Sequence, residues 1–312
     1  MVNRRHIRIK VMQSVYAFLQ SGSDNLTKEE KFLENSVDKT FDLFALQLDL
    51  FVAIKQMAEE HLEIRKKKYL ATDEDKNPNL NFINNRVIQL IENDVTLKNF
   101  MERHKLNNWS HDREYVRLIW DEIQQSDSYK NYLKVPRAGL NEDKEFILEI
   151  FKTVVAPNEK LNDYYESEHL GWVDDLPYVN TWIIKMIKQI KKGKLLGVPD
   201  MNIEEDDREF MIDLFRKTVL NHKEYDDDID SKTPNWDNER IAELDMILIK
   251  MAITEFVKFP SIPTKVSINE YIEISKDYST ANSSFFINGV LDKILKDFQQ
   301  QDKVKKIGRG LL

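Results

Sequence analysis

The chain has 312 residues, no cysteine and a formal net charge of −8 at pH 7. The lack of cysteine excludes disulfides, thiolate nucleophiles and cysteine-based zinc sites, and it favours a reducing cytoplasm. Only 8 glycines and 8 prolines occur, which disfavours an all-β fold rich in tight turns. No apolar run approaches the roughly 20 residues that a membrane-spanning helix requires.

The first predicted helix covers residues 3–20 and is basic at its start. The net charge of −8 comprises +4 within residues 1–23 and −12 elsewhere. Arg4 and Arg8 lie almost on the apolar stripe that Ile7, Val11 and Val15 form at helical spacing. Because burying unpaired guanidinium groups would cost several kcal/mol, we expect the first two turns to overhang the body, with only Val11 onward packed.

A bound polyanion would explain this basic end, and so would a solvated, frayed terminus. Arginine forks suit phosphates and guanine edges, while His6 and Tyr16 can stack on unpaired bases. An arginine-rich, acid-free start is also typical of an organellar transit peptide. The residues alone leave these alternatives open.

Between residues 24 and 200 the spacing of apolar residues predicts further amphipathic helices. They lie at about 41–68 and near 81–105, 111–133, 142–165 and 178–192. The segment 143–152 recurs at an offset of 64 as 207–216, and the same offset relates Trp172 to Trp236. A fixed offset over two elements suggests a duplicated helix–loop–helix unit.

An acidic, solvated loop is predicted at 224–230. It is followed by an apolar stripe at helical spacing, Ile241, Leu244, Leu248 and Met251. This stripe ends on Glu255. A carboxylate on such a stripe needs a partner, and we expect a structural hydrogen bond rather than a catalytic role.

Residues 263–292 read PTKVSINEYIEISKDYSTANSSFFINGVLD and contain two amphipathic segments joined by a polar loop. Pro263 suits a helix start, and Asn282, Ser283 or Ser284 suits the N-cap of the second helix. Gly289 falls inside that helix at a cost of about 1 kcal/mol relative to Ala. We expect another backbone to pack closely there, the alternative being a neutral glycine.

These segments resemble the NusB family of transcription antitermination factors. The family pattern is close to P-x-K-V-x-I-N-E-x-[IV]-E-[IL]-[AS]-K, then a short loop and F-[VI]-N-G-V-L-D. It is matched at Pro263, Lys265, Val266, Ile268, Asn269, Glu270, Glu273 and Lys276, then at Phe286, Asn288, Gly289, Val290, Leu291 and Asp292. The family's arginine-rich motif and Q-[AS]-[LV]-Y signature are matched at Arg4, Arg5, Arg8, Gln13, Val15 and Tyr16.

The resemblance implies an all-α, NusB-like helical bundle with additional amphipathic helices. Its parts would be an RNA-binding first helix (1–22), a helical insertion of unknown role (23–200), the NusB-like core (201–300) and a basic, disordered tail (301–312). Residues 206–221 resemble the family's second core helix, and residues 241–258 resemble its central one.

The resemblance also implies a cytoplasmic protein that binds single-stranded boxA-type RNA together with NusE, the small-subunit ribosomal protein, in the transcription complex that makes ribosomal RNA. The implied RNA-binding residues are Arg4, Arg5, His6, Arg8, Lys10, Tyr16, Lys265, Asn282, Ser283 and Phe286, with Phe286 as a stacking platform. The implied partner-binding residues are Tyr16, Glu239 and Asp245. The chain departs from the family at Asn282, which replaces an acid, and at Phe285, which replaces a base and removes one phosphate contact.

No catalytic signature accompanies these motifs. The sequence has no glycine-rich phosphate loop and no nucleophile motif. Glu166 and His169 have the spacing of a carboxylate-bundle metal motif, but no second copy occurs. We therefore predict no enzyme, metal or cofactor. Two alternatives remain, the RNA-targeting module of a ribosomal RNA modification system and a helical protein-interaction scaffold.

Overall fold

The computed structural model describes residues 2–67, 69, 72, 76–191, 196, 198, 201–232 and 242–311. Every regular element within these residues is a helix, which confirms the predicted all-α class. The α-helices are α1 Arg4–Ser21, α2 Leu26–Lys66, α3 Arg86–Glu92, α4 Val95–His104, α5 Asn108–His111, α6 Arg113–Gln125, α7 Asp127–Lys134, α8 Leu140–Ile150, α9 Glu159–Glu168, α10 Trp172–Gln189, α11 Glu205–Asp230, α12 Glu243–Lys258, α13 Thr264–Tyr278 and α14 Ser283–Gln300. A π-helical turn at Phe151–Val155 and a 3₁₀ turn at Gly308–Leu311 complete them.

The chain forms two compact units. One comprises residues 38–202, and the other combines residues 2–37 with residues 203–312. The second unit, which we call the terminal unit, holds nearly all the residues that the sequence singles out for function. The predicted boundaries of the NusB-like core stay a prediction.

Helix α12 is the centre of the terminal unit. It is buried on almost every side, including Ile247, Leu248, Ile249 and Ile253, as expected of a helix that is apolar all round. Helices α1, α11, α13 and α14 pack against it. The side chains that matter below are placed by their contacts with this helix.

The unit of residues 38–202 has a core rich in aromatic side chains. Phe82 stacks on Trp120 with ring centroids 4.9 Å apart, and Tyr132 stacks on Phe146 at 4.1 Å. A cavity of about 380 Å³ opens beside the long helix α2, and Asp49 lines it. Burial raises the pKa of Asp49 to about 6, and this carboxylate makes no hydrogen bond or ion pair with any described residue.

Three predicted helices are each split by a capping side chain. Asp94 accepts a hydrogen bond from the backbone N–H of Leu97, and Ser126 accepts one from that of Tyr129. Asn158 does the same at the start of α9. These short polar side chains satisfy N–H groups that a new helix start leaves unpaired, so an apolar periodicity that continues across them conceals a break.

Two predicted segments have different lengths in the structure. The predicted acidic loop at 224–230 is wrong, because α11 continues to Asp230 with Tyr225 and Ile229 buried on its inner face. The long helix predicted from residue 41 begins at Leu26, where Leu33 and Val37 extend the buried stripe. In α11, buried apolar residues four positions apart thus stabilise the helix through the acidic run 224–230.

The repeated segments 143–152 and 207–216 bury corresponding side chains. Phe146 and Phe210 are both buried. The first copy, however, runs into the π-helical turn, while the second stays α-helical. Trp236 lies outside the described residues, and the duplication stays a prediction.

Candidate nucleic-acid interface

Arg8 and Glu255 form a buried ion pair at the base of the first helix. Arg8 is 2% exposed. It donates from Nε to Glu255 Oε1 at 2.7 Å and from Nη2 to Oε2 at 3.0 Å. Ser267 and Tyr271 donate their hydroxyls to the same carboxylate at 2.5 and 2.7 Å. Burial disfavours the charged guanidinium, but the Glu255 carboxylate outweighs it and raises the pKa of Arg8 above its ordinary value.

This pair overturns one prediction and confirms another. The expectation that the first two turns overhang the body is wrong, since His6, Ile7, Arg8 and Lys10 are all buried. The arginine is packed at tolerable cost because a buried charge is acceptable when it is paired and fully hydrogen-bonded. The structural role predicted for Glu255 is confirmed.

Arg4 and Arg5 are paired as well, but at the surface. Arg5 makes two hydrogen bonds to Glu270, at 2.8 and 2.9 Å, and the hydrogen bond from Arg5 lowers the pKa of Glu270. Arg4 donates from Nε to Asp207 at 3.0 Å. The side chains of both arginines are nearly half exposed. Surface pairs of this kind contribute only about 0–1 kcal/mol, so a phosphate can compete with either carboxylate.

The first turn of α1 borders an open cleft of about 540 Å³. We call it the arginine cleft. Most of the other lining residues lie just before α13 or in its first two turns, and they provide an apolar surface and one acid. The lining residues are Asn3, Arg4, Arg5, Arg8, Ser261, Ile262, Pro263, Val266, Glu270 and Arg309. The cleft therefore combines cationic hydrogen-bond donors, which suit a nucleic-acid backbone, with an apolar surface.

A second group of predicted residues surrounds the loop 279–283, which we call the serine loop. Asp245 accepts hydrogen bonds from Ser279 at 2.6 Å and from Ser283 at 2.7 Å. Both Asp245 and Ser283 are buried, so their side chains fix the loop and are covered in this structure. Phe286 is half-buried, whereas its neighbour Phe285 is 80% exposed.

The two groups lie at opposite ends of α12. Asp245 and Glu255 are ten residues apart on that helix, which corresponds to about 15 Å along its axis. Helix α1 runs antiparallel beside it, because Arg8 bonds Glu255 while Gln20 bonds Glu243. A single strand that contacts both the arginine cleft and the serine loop must therefore span at least this length.

The remaining predicted residues are placed as follows. His6 and Lys10 are 3% and 2% exposed, so neither ring nor ammonium is open to a base or phosphate in this structure. Tyr16, Lys265 and Asn282 are exposed. Glu239 lies outside the described residues.

Sequence reasoning missed three participants. Glu270 looks like an ordinary surface acid, although it stands inside the matched motif, and it pairs with Arg5. Asp207, the partner of Arg4, has no sequence signal. Arg309 lies in the predicted disordered tail, yet it lines the arginine cleft.

No helix in the described part of the chain is long and apolar enough to cross a membrane. No group of three or more histidine and carboxylate side chains in those residues is arranged to hold a metal ion.

Comparison with known proteins identifies the family. The model of the NusB family matches residues 181–296. The chain is 44% identical over 118 residues to the transcription antitermination protein NusB of Salinibacter ruber, a match that covers 38% of this chain and 73% of the relative. It is 35% identical over 130 residues to the same-named protein of Chloroherpeton thalassium, covering 40% of this chain and 62% of the relative. For the protein of Desulforapulum autotrophicum the identity is 42% over 103 residues, covering 32% and 72%. No solved structure matches the chain. With these identities and coverages, the chain belongs to the NusB family.

Proposed function

We propose that this chain is an RNA-binding transcription antitermination factor. It acts in the cytoplasm, binds single-stranded boxA-type RNA together with NusE, and supports transcription of ribosomal RNA within the transcription complex. The role is one of binding, without a catalytic step. The observation that carries the proposal is the arginine cleft, where Arg4 and Arg5 stand half exposed on the first turn of α1.

The surface pairs of the cleft leave guanidinium donors for RNA. Arg4 uses only Nε in its bond to Asp207, so both Nη groups remain for a phosphate or a base edge. Arg5 can exchange Glu270 for a phosphate, because a phosphate accepts the same two parallel hydrogen bonds from the guanidinium. The carboxylates hold the arginines in place until the RNA arrives.

Buried members of the predicted site act by positioning. Arg8 attaches α1 to α12 through Glu255, which fixes the helix that carries Arg4 and Arg5. Asp245 and Ser283 shape the serine loop in the same way, so that Asn282 and Phe286 are presented at the start of α14. We thus assign direct contact with RNA to the exposed residues and support to the buried ones.

The proposed NusE surface lies around Tyr16. Its side chain is 39% exposed on the helix whose far end reaches Glu243 through Gln20. The Glu243 carboxylate at this end suits a basic ribosomal protein and would increase the rate of association. Glu239 lies outside the described residues and is proposed as a partner-binding residue from the family resemblance alone. Because Asp245 is buried, it contributes to this surface through the serine loop.

The test of RNA binding is a salt titration with labelled single-stranded boxA-type RNA. Each phosphate contact contributes about 0.7 to the slope of log K against log salt for single strands. Replacing Arg4 and Arg5 together with alanine is expected to reduce that slope by about 1.4. The matched control is Arg216→Ala, which removes an equally exposed arginine whose Glu30 pair lies in the same unit. A double variant with the wild-type slope would refute the cleft as the RNA site.

The partner is tested by recovering the intact protein from cytoplasm with and without ribonuclease. NusE is expected in both preparations, in smaller amount after ribonuclease because RNA and NusE bind together. Failure to recover NusE in either preparation would contradict the partner assignment without affecting the RNA assignment.

A further inference from the structure

The segment that follows α14 packs against the rest of the terminal unit through Lys306, Ile307 and Gly310, although the sequence predicts a disordered tail at 301–312. Lys306 donates from Nζ to the backbone carbonyls of Glu255 and Phe259, at 2.9 Å each. Glu255 lies in the last turn of α12, and Phe259 is the residue that caps its end, where carbonyls begin to lack helical partners. Burial lowers the pKa of Lys306 to about 8, as expected of an ammonium that has left bulk water.

The backbone of the segment also contacts the body. The N–H of Ile307 donates to the carbonyl of Pro260 at 3.0 Å. Gly310 packs so tightly there that an added Cβ would stand 1.9 Å from the Pro260 oxygen. Only glycine fits at this contact, so the docked position depends on this residue. The result is that Arg309, the residue just before it, lines the arginine cleft.

Arg309 differs from the other arginines of the cleft in its charge balance. Arg4, Arg5 and Arg8 each pair with a carboxylate. Arg309 makes no ion pair with any described residue and is exposed. Arg309 therefore adds to the cleft a guanidinium whose charge no carboxylate of the described residues offsets.

We propose that residues 303–311 form a docked arm that places Arg309 in the arginine cleft, where its guanidinium contacts a phosphate of the bound RNA. The inference rests on the proposed function and extends it to a segment beyond the part that matches the family. An RNA strand in the cleft would then lie between α1 on one side and the arm on the other. Phosphate is the ligand class because a planar guanidinium binds it with two parallel hydrogen bonds.

Three single variants test the arm in the RNA salt titration. Arg309→Ala is expected to weaken binding by about tenfold and to reduce the salt slope by about 0.7. Gly310→Ala keeps every charge but displaces the arm, and it should weaken binding to a similar extent. The matched control is Lys305→Ala, because Lys305 is an exposed cation of the same arm outside the cleft.

The outcomes separate this inference from the proposed function. Wild-type protein that binds the RNA while Arg309→Ala binds equally well would overturn the inference and leave the proposed function intact. A loss on Arg309→Ala that Lys305→Ala equals, or that Gly310→Ala does not share, would show a diffuse charge effect and would also overturn it. Wild-type protein that binds no RNA would overturn both.

Discussion

The buried pair between Arg8 and Glu255 makes a sharp prediction about stability. In Arg8→Ala the Glu255 carboxylate, which is fully buried, loses two of its four hydrogen bonds and its ion pair with the guanidinium. Breaking a buried pair by removing one partner costs about 3–5 kcal/mol, since an uncompensated charge stays behind. Ser267 and Tyr271 still donate to the carboxylate, which favours the lower part of that range.

The assay is urea unfolding of the whole chain, followed by hydrogen exchange of the α1 and α12 amides, because a chain with two units need not unfold in one step. The control is Arg4→Ala. Its pair with Asp207 is half exposed, so its loss should cost no more than about 1 kcal/mol. An Arg8→Ala protein that is destabilised no more than Arg4→Ala would refute the buried pair. The first two turns of α1 would then overhang the body, as the sequence predicts.

Three further changes have expected outcomes of their own. Gly289→Ala should stabilise the protein by roughly 0.5–1 kcal/mol in urea unfolding, because an added Cβ meets nothing within 4 Å and the predicted close backbone contact is wrong; a loss of stability would contradict this. Asp49→Asn should stabilise the protein by about 2–3 kcal/mol at pH 7. The pKa of Asp49 is about 6 in the folded state and about 4 in the unfolded chain, so the charged carboxylate at pH 7 favours the unfolded chain. The gain should vanish near pH 4, and a gain independent of pH would refute the assignment. Phe285→Ala should weaken RNA binding by about 1–3 kcal/mol if its exposed ring stacks on a base, and unchanged affinity in the RNA titration would exclude it as a platform.

Much of the fold was predictable because helical periodicity is a local signal. Every predicted helix that lies within the described residues corresponds to helical structure, and α12, α13 and α14 begin within a few residues of the predicted positions. The capping residues that split the middle helices are also local, but a polar side chain inside an amphipathic pattern reads equally well as a solvated surface position. Only its hydrogen bond distinguishes the two.

The candidate site was less predictable because its defining contacts are between residues far apart in sequence. Arg8 and Glu255 are 247 residues apart, so the pattern around the arginine shows a charge on an apolar stripe without the acid that neutralises it. The pattern around Glu255 shows an acid on an apolar stripe without the arginine that pairs with it. The pattern around Glu255 predicted a partner, whereas the pattern around Arg8 predicted turns that overhang the body. In the fold the two residues pair with each other.

The same limit applies to the arm and the serine loop. Arg309 stands in a short basic segment, and nothing around it predicts that Lys306 caps α12. Asp245 matches a partner-binding position of the family by resemblance, but the structure buries it beneath two serine hydroxyls. A motif identifies candidate functional residues. Whether each of them contacts the ligand or positions another residue that does depends on how the chain packs.

The central claim is that RNA binds the terminal unit at the arginine cleft. The most direct measurement is photocrosslinking of 4-thiouridine-substituted, single-stranded boxA-type RNA to the intact chain, with the crosslinked peptides mapped by mass spectrometry. Crosslinks in peptides that contain residues 3–8, 261–270 or 309 are the predicted result. Crosslinks confined to residues 38–202 would contradict the account.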